Sequence, residues 1–224
     1  DDQPSSYFPG YVVTWRTNGD FGYDLHDLVT GEVTPLYASS VMGDTIALYY
    51  EDGRLKVFST ATGDLITDTA VEPVEGPQSA MMNNEGDGYV WLELRDNDRY
   101  ETTATRVYGP EGLVSDLTHL QSKYYFLNYL TTTPEGRPLY YGTAEAPSRN
   151  GSLCDVLDET GNVALGLGDL GGCYSYYSNS LNQLPDHVFV ARRGFYYGWM
   201  DTDGKWLYCQ SIFSSINADD EMGY

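Results

Sequence analysis

The sequence predicts an all-β protein built from repeats of one antiparallel meander. Three observations carry this prediction. Short apolar and aromatic segments recur along the chain, each closed by a turn rich in Gly, Asp or Asn. The aromatic residues are dominated by Tyr, 21 against 7 Phe and 4 Trp, and Tyr suits a pleated, half-buried surface. No segment sustains the 3.6-residue apolar period of an amphipathic helix.

The clearest unit is residues 46–67, IALYYEDGRLKVFSTATGDLIT, three strands joined by turns at Glu51-Asp52-Gly53 and Thr60-Ala61-Thr62-Gly63. Residues 11–36 repeat it: VVTWRT, a turn at Asn18-Gly19-Asp20, FGYDLHDLV, a turn at Thr30-Gly31, then EVTPL. Residues 88–114 follow with GYVWLEL, an acidic turn at 95–98, RYETTATRVY and a turn at Pro110-Glu111-Gly112. The next unit runs KYYFLNYL, RPLYYGTA, an inserted surface loop at 145–150, SLCDVLD, a turn at Glu159-Thr160-Gly161 and NVAL. The last runs HVFVA, FYYGWMD and KWLY, with turns at Arg192-Arg193-Gly194 and Thr202-Asp203-Gly204. Gly31, Gly63, Gly112, Gly161 and Gly204 hold the same place in each, spaced 32, 49, 49 and 43 residues apart. Glycine supplies the positive φ that tight hairpin turns need, so its recurrence marks five repeats.

A short segment of small residues precedes the later units, at 38–41, 79–82, 117–120 and 174–177. A fifth, 211–215, follows the last unit. Each is expected to be an inner strand that completes a four-stranded antiparallel blade around a central axis. The first unit has no such segment before it, and Met222-Gly223-Tyr224 aligns with Asp87-Gly88-Tyr89. The C-terminal segment is therefore expected to pair with residues 11–16 and close a ring, which protects sheet edges.

This arrangement resembles a compact five-bladed β-propeller, and the likeness covers nearly the whole chain. The last unit, YYGWMDTDGKWLY, also resembles a WG-type repeat, in which Gly-Trp is followed by an Asp-x-x-Gly-Lys-Trp hairpin. The other units lack Gly-Trp. The resemblance implies an exported bacterial protein with a ligand-binding end face. Some five-bladed propellers are glycoside hydrolases, so a glycan-active enzyme is the alternative to a non-catalytic binding or scaffold module.

Composition excludes several partners. The net charge is −21, from 33 acidic and 12 basic residues. Nucleic acid would be repelled, because affinity there comes from Lys and Arg on phosphate. No apolar run is long enough to insert in a membrane. The chain begins at Asp1 rather than Met, which reads as a removed signal or lipid-anchoring segment and as an extracellular or cell-surface location.

Glycosidase chemistry needs two carboxylates close together. The expected inner strands hold no Asp or Glu, which leaves the loop acids Asp44, Glu75, Asp116 and Asp169. No nucleophile elbow occurs. His26, His119 and His187 lie in different units; His26 and His187 read as strand residues, while His119 is expected at a channel mouth. The turns around Asp96, Asp98 and Glu101 and around Asp201 and Asp203 fall short of a full calcium loop. They read as hairpins, so no cofactor is expected and weak calcium binding stays open. The glycine-rich 166–172 lacks the Lys-Ser/Thr of a phosphate loop.

The expected ligand is a protein or a glycan. The residues assigned to it are Tyr174 and Tyr176 on one inner strand, Phe213 on the next, and His119. Cys154, Cys173 and Cys209 are the cysteines. An odd set allows one disulfide, and both Cys154–Cys173 and Cys173–Cys209 are open.

Overall fold

A computed structural model describes residues 4–16, 22–73, 78–85, 88–96, 101–145, 152–169, 171–174 and 187–212. Apart from one 3-10 turn, every regular element among them is a β-strand, and each strand pairs antiparallel with its sequence neighbours. Two compact units divide the chain, at residues 1–118 and 119–224. No helix among the described residues is long and apolar enough to cross a membrane.

The first unit opens with a sheet of seven strands in chain order. They are β1 (Pro4–Phe8), β2 (Tyr11–Trp15), β3 (Tyr23–Asp27), β4 (Val33–Met42), β5 (Thr45–Tyr50), β6 (Arg54–Ser59) and β7 (Leu65–Ala70). The long strand β4 does two jobs. Its first part, Val33 to Leu36, pairs with β3, and the stretch from Leu36 to Met42 pairs with β5. The register slips between Leu36 and Ala38, so Tyr37 is an extra residue on the bulged strand.

β5 explains how the sheet is held. Alternating side chains leave a strand on opposite faces. Ile46, Leu48 and Tyr50 pack with Phe8, Val13 and Leu25 from β1 to β3. Ala47 and Tyr49 pack on the other face, in a cluster with Leu92, Leu94 and Tyr108. These last residues come from a four-stranded sheet of β8 (Gln78–Asn84), β9 (Val90–Asp96), β10 (Glu101–Gly109) and β11 (Gly112–Asp116). Polar bonds fix the same junction. Buried Asn84 takes the Ser40 Oγ on its backbone N–H at 2.9 Å and donates its amide to Thr45 Oγ1 at 2.8 Å.

The second unit holds two four-stranded sheets. One contains β12 (Phe126–Thr132), β13 (Pro138–Glu145), β14 (Ser152–Leu157) and β15 (Val163–Asp169). The other contains β16 (Gly172–Tyr174), β17 (Val188–Arg193), β18 (Tyr196–Asp201) and β19 (Trp206–Ser211). Their shared core includes Leu130, Tyr141, Val156, Phe189 and Met200.

The recurring turns work as the sequence predicts. Gly31, Gly63, Gly161 and Gly204 have φ between 74° and 83°. Each donates its N–H back to the residue that opens the turn, Asp27, Ser59, Asp158 or Asp201. The Asp201 carboxylate accepts the N–H groups of Asp203 and Lys205, so this acidic turn spends its oxygen on the backbone of the hairpin. Gly198 answers to a different demand. A Cβ there would overlap the Tyr208 carbonyl of β19, so the Gly-Trp pair of the last unit is explained locally by close strand approach.

Three expectations need correction. The place beside residues 11–16 is filled by β1, which pairs with β2 from Pro4↔Thr14 to Phe8↔Tyr11, while β3 takes the other edge. The C-terminal segment therefore has no free edge of β2 to join. Residues 118–120 form a 3-10 turn rather than an inner strand. Asp116 Oδ1 accepts the Thr118 N–H at 3.0 Å, and Lys123 and Tyr124 return their N–H groups to the Leu120 carbonyl. The inner position in that sheet belongs to β12, so the unit from 123 to 169 supplies all four strands itself. Ser211, expected to open an inner strand at 211–215, instead ends β19, and residues 213–215 lie outside the described residues.

Two predictions follow from this packing. Leu48 is fully buried, and Leu48→Ala should destabilise the fold by about 3 kcal/mol in urea unfolding, through lost transfer energy and the cavity left behind. Val29→Ala, at an exposed turn position, should stay within about 0.5 kcal/mol. The second concerns Glu85, buried just after β8, where burial pushes its carboxyl from an ordinary 4.5 up to about 7. Between those values the unfolded chain is ionised there and the folded chain is protonated. Its contribution to stability is therefore full below 4.5 and is lost as pH rises through 7. Glu85→Gln should gain on the wild type across that window, by up to roughly 3 kcal/mol, in denaturant midpoints measured from pH 4.5 to 8. A constant offset between the two proteins would contradict it.

Candidate functional site

A cleft of about 500 Å³ opens in the first unit. That volume suits a small ligand. Its walls come from Trp15 at the end of β2, Gly22 and Tyr23 at the start of β3, Tyr37 to Ser39 of β4, Ser79 to Met82 of β8, and Arg95 and Asp96 at the end of β9. Trp15 and Tyr23 flank the first turn of their unit, and Arg95 and Asp96 begin the first turn of theirs. The small residues of 38–41 and 79–82 supply the floor.

Local geometry positions the aromatic wall. Trp15 meets the Tyr23 ring edge-on, with centroids 4.8 Å apart. Trp15 remains 42% exposed, which leaves part of its ring surface for a ligand. Arg16 clamps the base of Tyr23. It donates to Asp24 Oδ1 and Glu51 Oε1, each at 2.8 Å, and to the Tyr23 carbonyl at 2.9 Å. Gly22 lets the chain pass the Leu36 carbonyl, which a Cβ would strike. The Tyr23 phenol is raised by burial, and its hydrogen bond to Ser39 only partly offsets this. It stays neutral and can both donate and accept.

The bulges place the rest. Tyr37 is the extra residue of β4, and its ring packs on Tyr49 with centroids 5.4 Å apart. β10 carries a second bulge between Thr102 and Ala104, directly opposite Arg95 and Leu94. Bulges re-aim side chains beside sites, and here two of them border one cleft. Arg95 Nη2 donates to Glu93 Oε2 at 2.9 Å, and Glu93 Oε1 accepts the Trp91 indole N–H at 3.2 Å. Arg95 Nε is a buried side-chain donor that has no hydrogen-bond partner among the described residues. Asp96 is the single carboxylate among the described residues of the lining.

The residues assigned from sequence fare differently. His119 sits exposed in the 3-10 turn and packs beside Gly161, so it lies on no strand. Tyr174 ends β16, while Tyr176 and Phe213 lie outside the described residues. His26 bonds to Thr14 Oγ1 at 2.9 Å, and His187 Nδ1 bonds to the Thr132 carbonyl at 2.8 Å. His26 lies on β3, as expected, whereas His187 sits in the turn before β17 with φ 64° and is not a strand residue. Asp116 is pushed up by burial, but bonds from Thr118 and Arg106 outweigh this and hold it below the usual carboxylate range. It is a paired anion, unsuited to donating a proton. Cys154 and Cys173 meet, Sγ to Sγ at 3.0 Å, in the core of the second unit, while Cys209 is exposed on β19.

One polar cluster was not foreseen. Tyr124 donates its hydroxyl to buried Asp155 at 2.7 Å, and Lys123 donates to the same hydroxyl. Asp155 faces Gly142 on β13 and Gly166 on β15, and the Tyr124 ring lies over Gly142, where a Cβ would clash. Gly142 makes room for the ring. Burial raises the Tyr124 phenol, so no phenolate nucleophile is prepared. The cluster anchors the chain segment that enters β12.

Comparison with curated proteins finds no match. Among solved structures, the chain is similar to HIRA(644-1017), at 13% identity over 75% of this chain and 50% of that one, with a TM-score of 0.37. It is similar to BamB from Moraxella catarrhalis at 12% identity, over 92% and 59% of the two chains, with a TM-score of 0.33. For the WD40 beta propeller domain of Doa1 the values are 13%, 90%, 65% and 0.37. The chain spans half to two thirds of the length of these three proteins, and likenesses this distant carry no residue correspondence. A family model matches residues 1–220, and the chain belongs to that family, described as "Domain of unknown function (DUF5046)".

Proposed function

We propose that the chain is a non-catalytic binding module on a five-bladed β-propeller, and that the cleft of the first unit takes a neutral glycan. The fivefold count rests on β4, whose two parts serve two four-stranded meanders. Splitting the seven-stranded sheet there gives five units of four strands each. In this reading β1 completes the first blade from its own N-terminal side.

The observation that carries the binding proposal is an exposed Trp15 set edge-on to Tyr23 over a polar rim of Ser39, Arg95 and Asp96. Aromatic faces stack on the C–H surface of a sugar ring, and hydroxyl, guanidinium and carboxylate groups meet its hydroxyls. A nucleic acid fits poorly against the overall charge of −21. The enzyme alternative needs a second carboxylate beside Asp96, and the described lining holds none. An exported or cell-surface setting belongs to the same proposal and is supported by the Tyr-rich, Lys-poor composition.

A glycan array tests this directly. Wild-type protein should bind a neutral glycan, and Trp15→Ala should weaken the titrated affinity at least about tenfold with unchanged thermal unfolding. Tyr174→Ala and Tyr176→Ala, run in parallel, should leave that affinity unaltered. Loss of binding with those two but not with Trp15→Ala would move the site to the second unit. If no glycan binds and a captured protein depends on Trp15 instead, the glycan assignment is wrong.

A further inference from the structure

We infer that Cys154 and Cys173 are joined by a disulfide that ties the two sheets of the second unit together, with Cys209 left as the free thiol. Cys154 lies in β14 and Cys173 in β16, strands of different sheets. Their sulfurs stand 3.0 Å apart, roughly an ångström beyond a covalent S–S bond of ~2.05 Å. No backbone rearrangement is needed to bring them together. The competing pairing is excluded by position, because β17 and β18 lie between Cys173 on β16 and Cys209 on β19, a spacing of about three strand widths of ~4.8 Å each.

The surroundings favour a disulfide over other uses of a thiol pair. Both sulfurs are buried in an apolar cluster with Leu130, Val156, Leu167 and Phe189. No group of three metal-ligating side chains occurs among the described residues. Within the pair, the hydrogen bond between the thiols lowers Cys154 and, together with burial, raises Cys173. A reactive or catalytic cysteine needs an electropositive and partly open setting, whereas both of these sulfurs are buried. The pair is 19 residues apart in sequence, and the link would enclose the Asp158–Gly161 turn and β15. It therefore restrains the segment between β14 and β16.

The chemistry requires a disulfide oxidant, for which oxidised glutathione serves. A Cys154 thiolate attacks the oxidant and releases one glutathione thiolate, leaving a mixed disulfide. Cys173, as thiolate, then attacks the Cys154 sulfur and displaces the second glutathione. The net change is two protein thiols and one oxidised glutathione to one protein disulfide and two reduced glutathiones. Burial of both sulfurs means that the bond forms before β16 docks.

The test uses the Cys209→Ser chain, unfolded and reduced, then refolded in excess oxidised glutathione. Alkylation in denaturant and intact mass should find neither remaining cysteine alkylated, with the mass lower by two hydrogens and one crosslinked peptide containing both. Reduction should lower the thermal midpoint by roughly 5–10 °C, and the further variants Cys154→Ser and Cys173→Ser should show no such dependence on reductant. Two alkylated thiols after complete refolding, or a stable glutathione adduct on either cysteine, would overturn the inference. So would a midpoint indifferent to reductant.

Discussion

Burial of β5 on both faces is the constraint on which the first unit depends. An ordinary surface strand alternates apolar and polar residues, but TIALYY is apolar from Ile46 onwards. Such a strand is stable only when a second layer covers each face. The odd and even positions of β5 accordingly recruit different partners, β1 to β3 on one side and β8 to β10 on the other. Neither neighbouring layer can be removed without exposing Leu48 or Tyr49. The repeats are therefore coupled through packed faces, and this coupling is what makes a chain of short meanders cohere.

The same constraint explains β4. A strand that hands the chain from one layer to the next must turn its face between its two pairings, and the bulge at Tyr37 does this. Leu36 lies in one core and Ala38 in the other. The cost of the bulge is one residue out of register. That residue is an aromatic side chain on the wall of the cleft. Layer exchange and site formation thus have one structural origin, and the position of the cleft follows from how the sheets are joined.

Much of the fold was legible in the sequence because turn chemistry is local. A Gly at positive φ after an Asp or Ser that folds back onto the turn backbone leaves a readable mark, as at Asp158 and Gly161. Long-range pairing leaves none. Nothing in the residues of Pro4–Phe8 shows that this strand, rather than the C-terminal segment, fills the open edge of β2. The segment 117–120 reads as a strand because it is short, uncharged and placed before a repeat, yet Leu117 and Leu120, both buried, are spaced by three, which fits one helical turn better than alternation. The site was less legible still. Trp15, Tyr23 and Tyr37 come from separate strands, and nothing in their spacing shows that a bulge and a close pass at Gly22 bring them together. The available signal was that Trp15 and Tyr23 lie on either side of one turn.

The two units solve the problem of joining sheets by different chemistry. In the first, the joint is backbone continuity through β4 and a hydrogen-bonded Asn84 that reaches the neighbouring sheet. In the second, the sheets share no strand, and β16 is only three residues long. A strand so short makes few ladder bonds, so its attachment has to come from side chains. Cys173 at its centre faces Cys154 of the opposite sheet in an otherwise apolar core. A covalent link is what such a short strand most needs, and this is the place in the molecule where two cysteines meet.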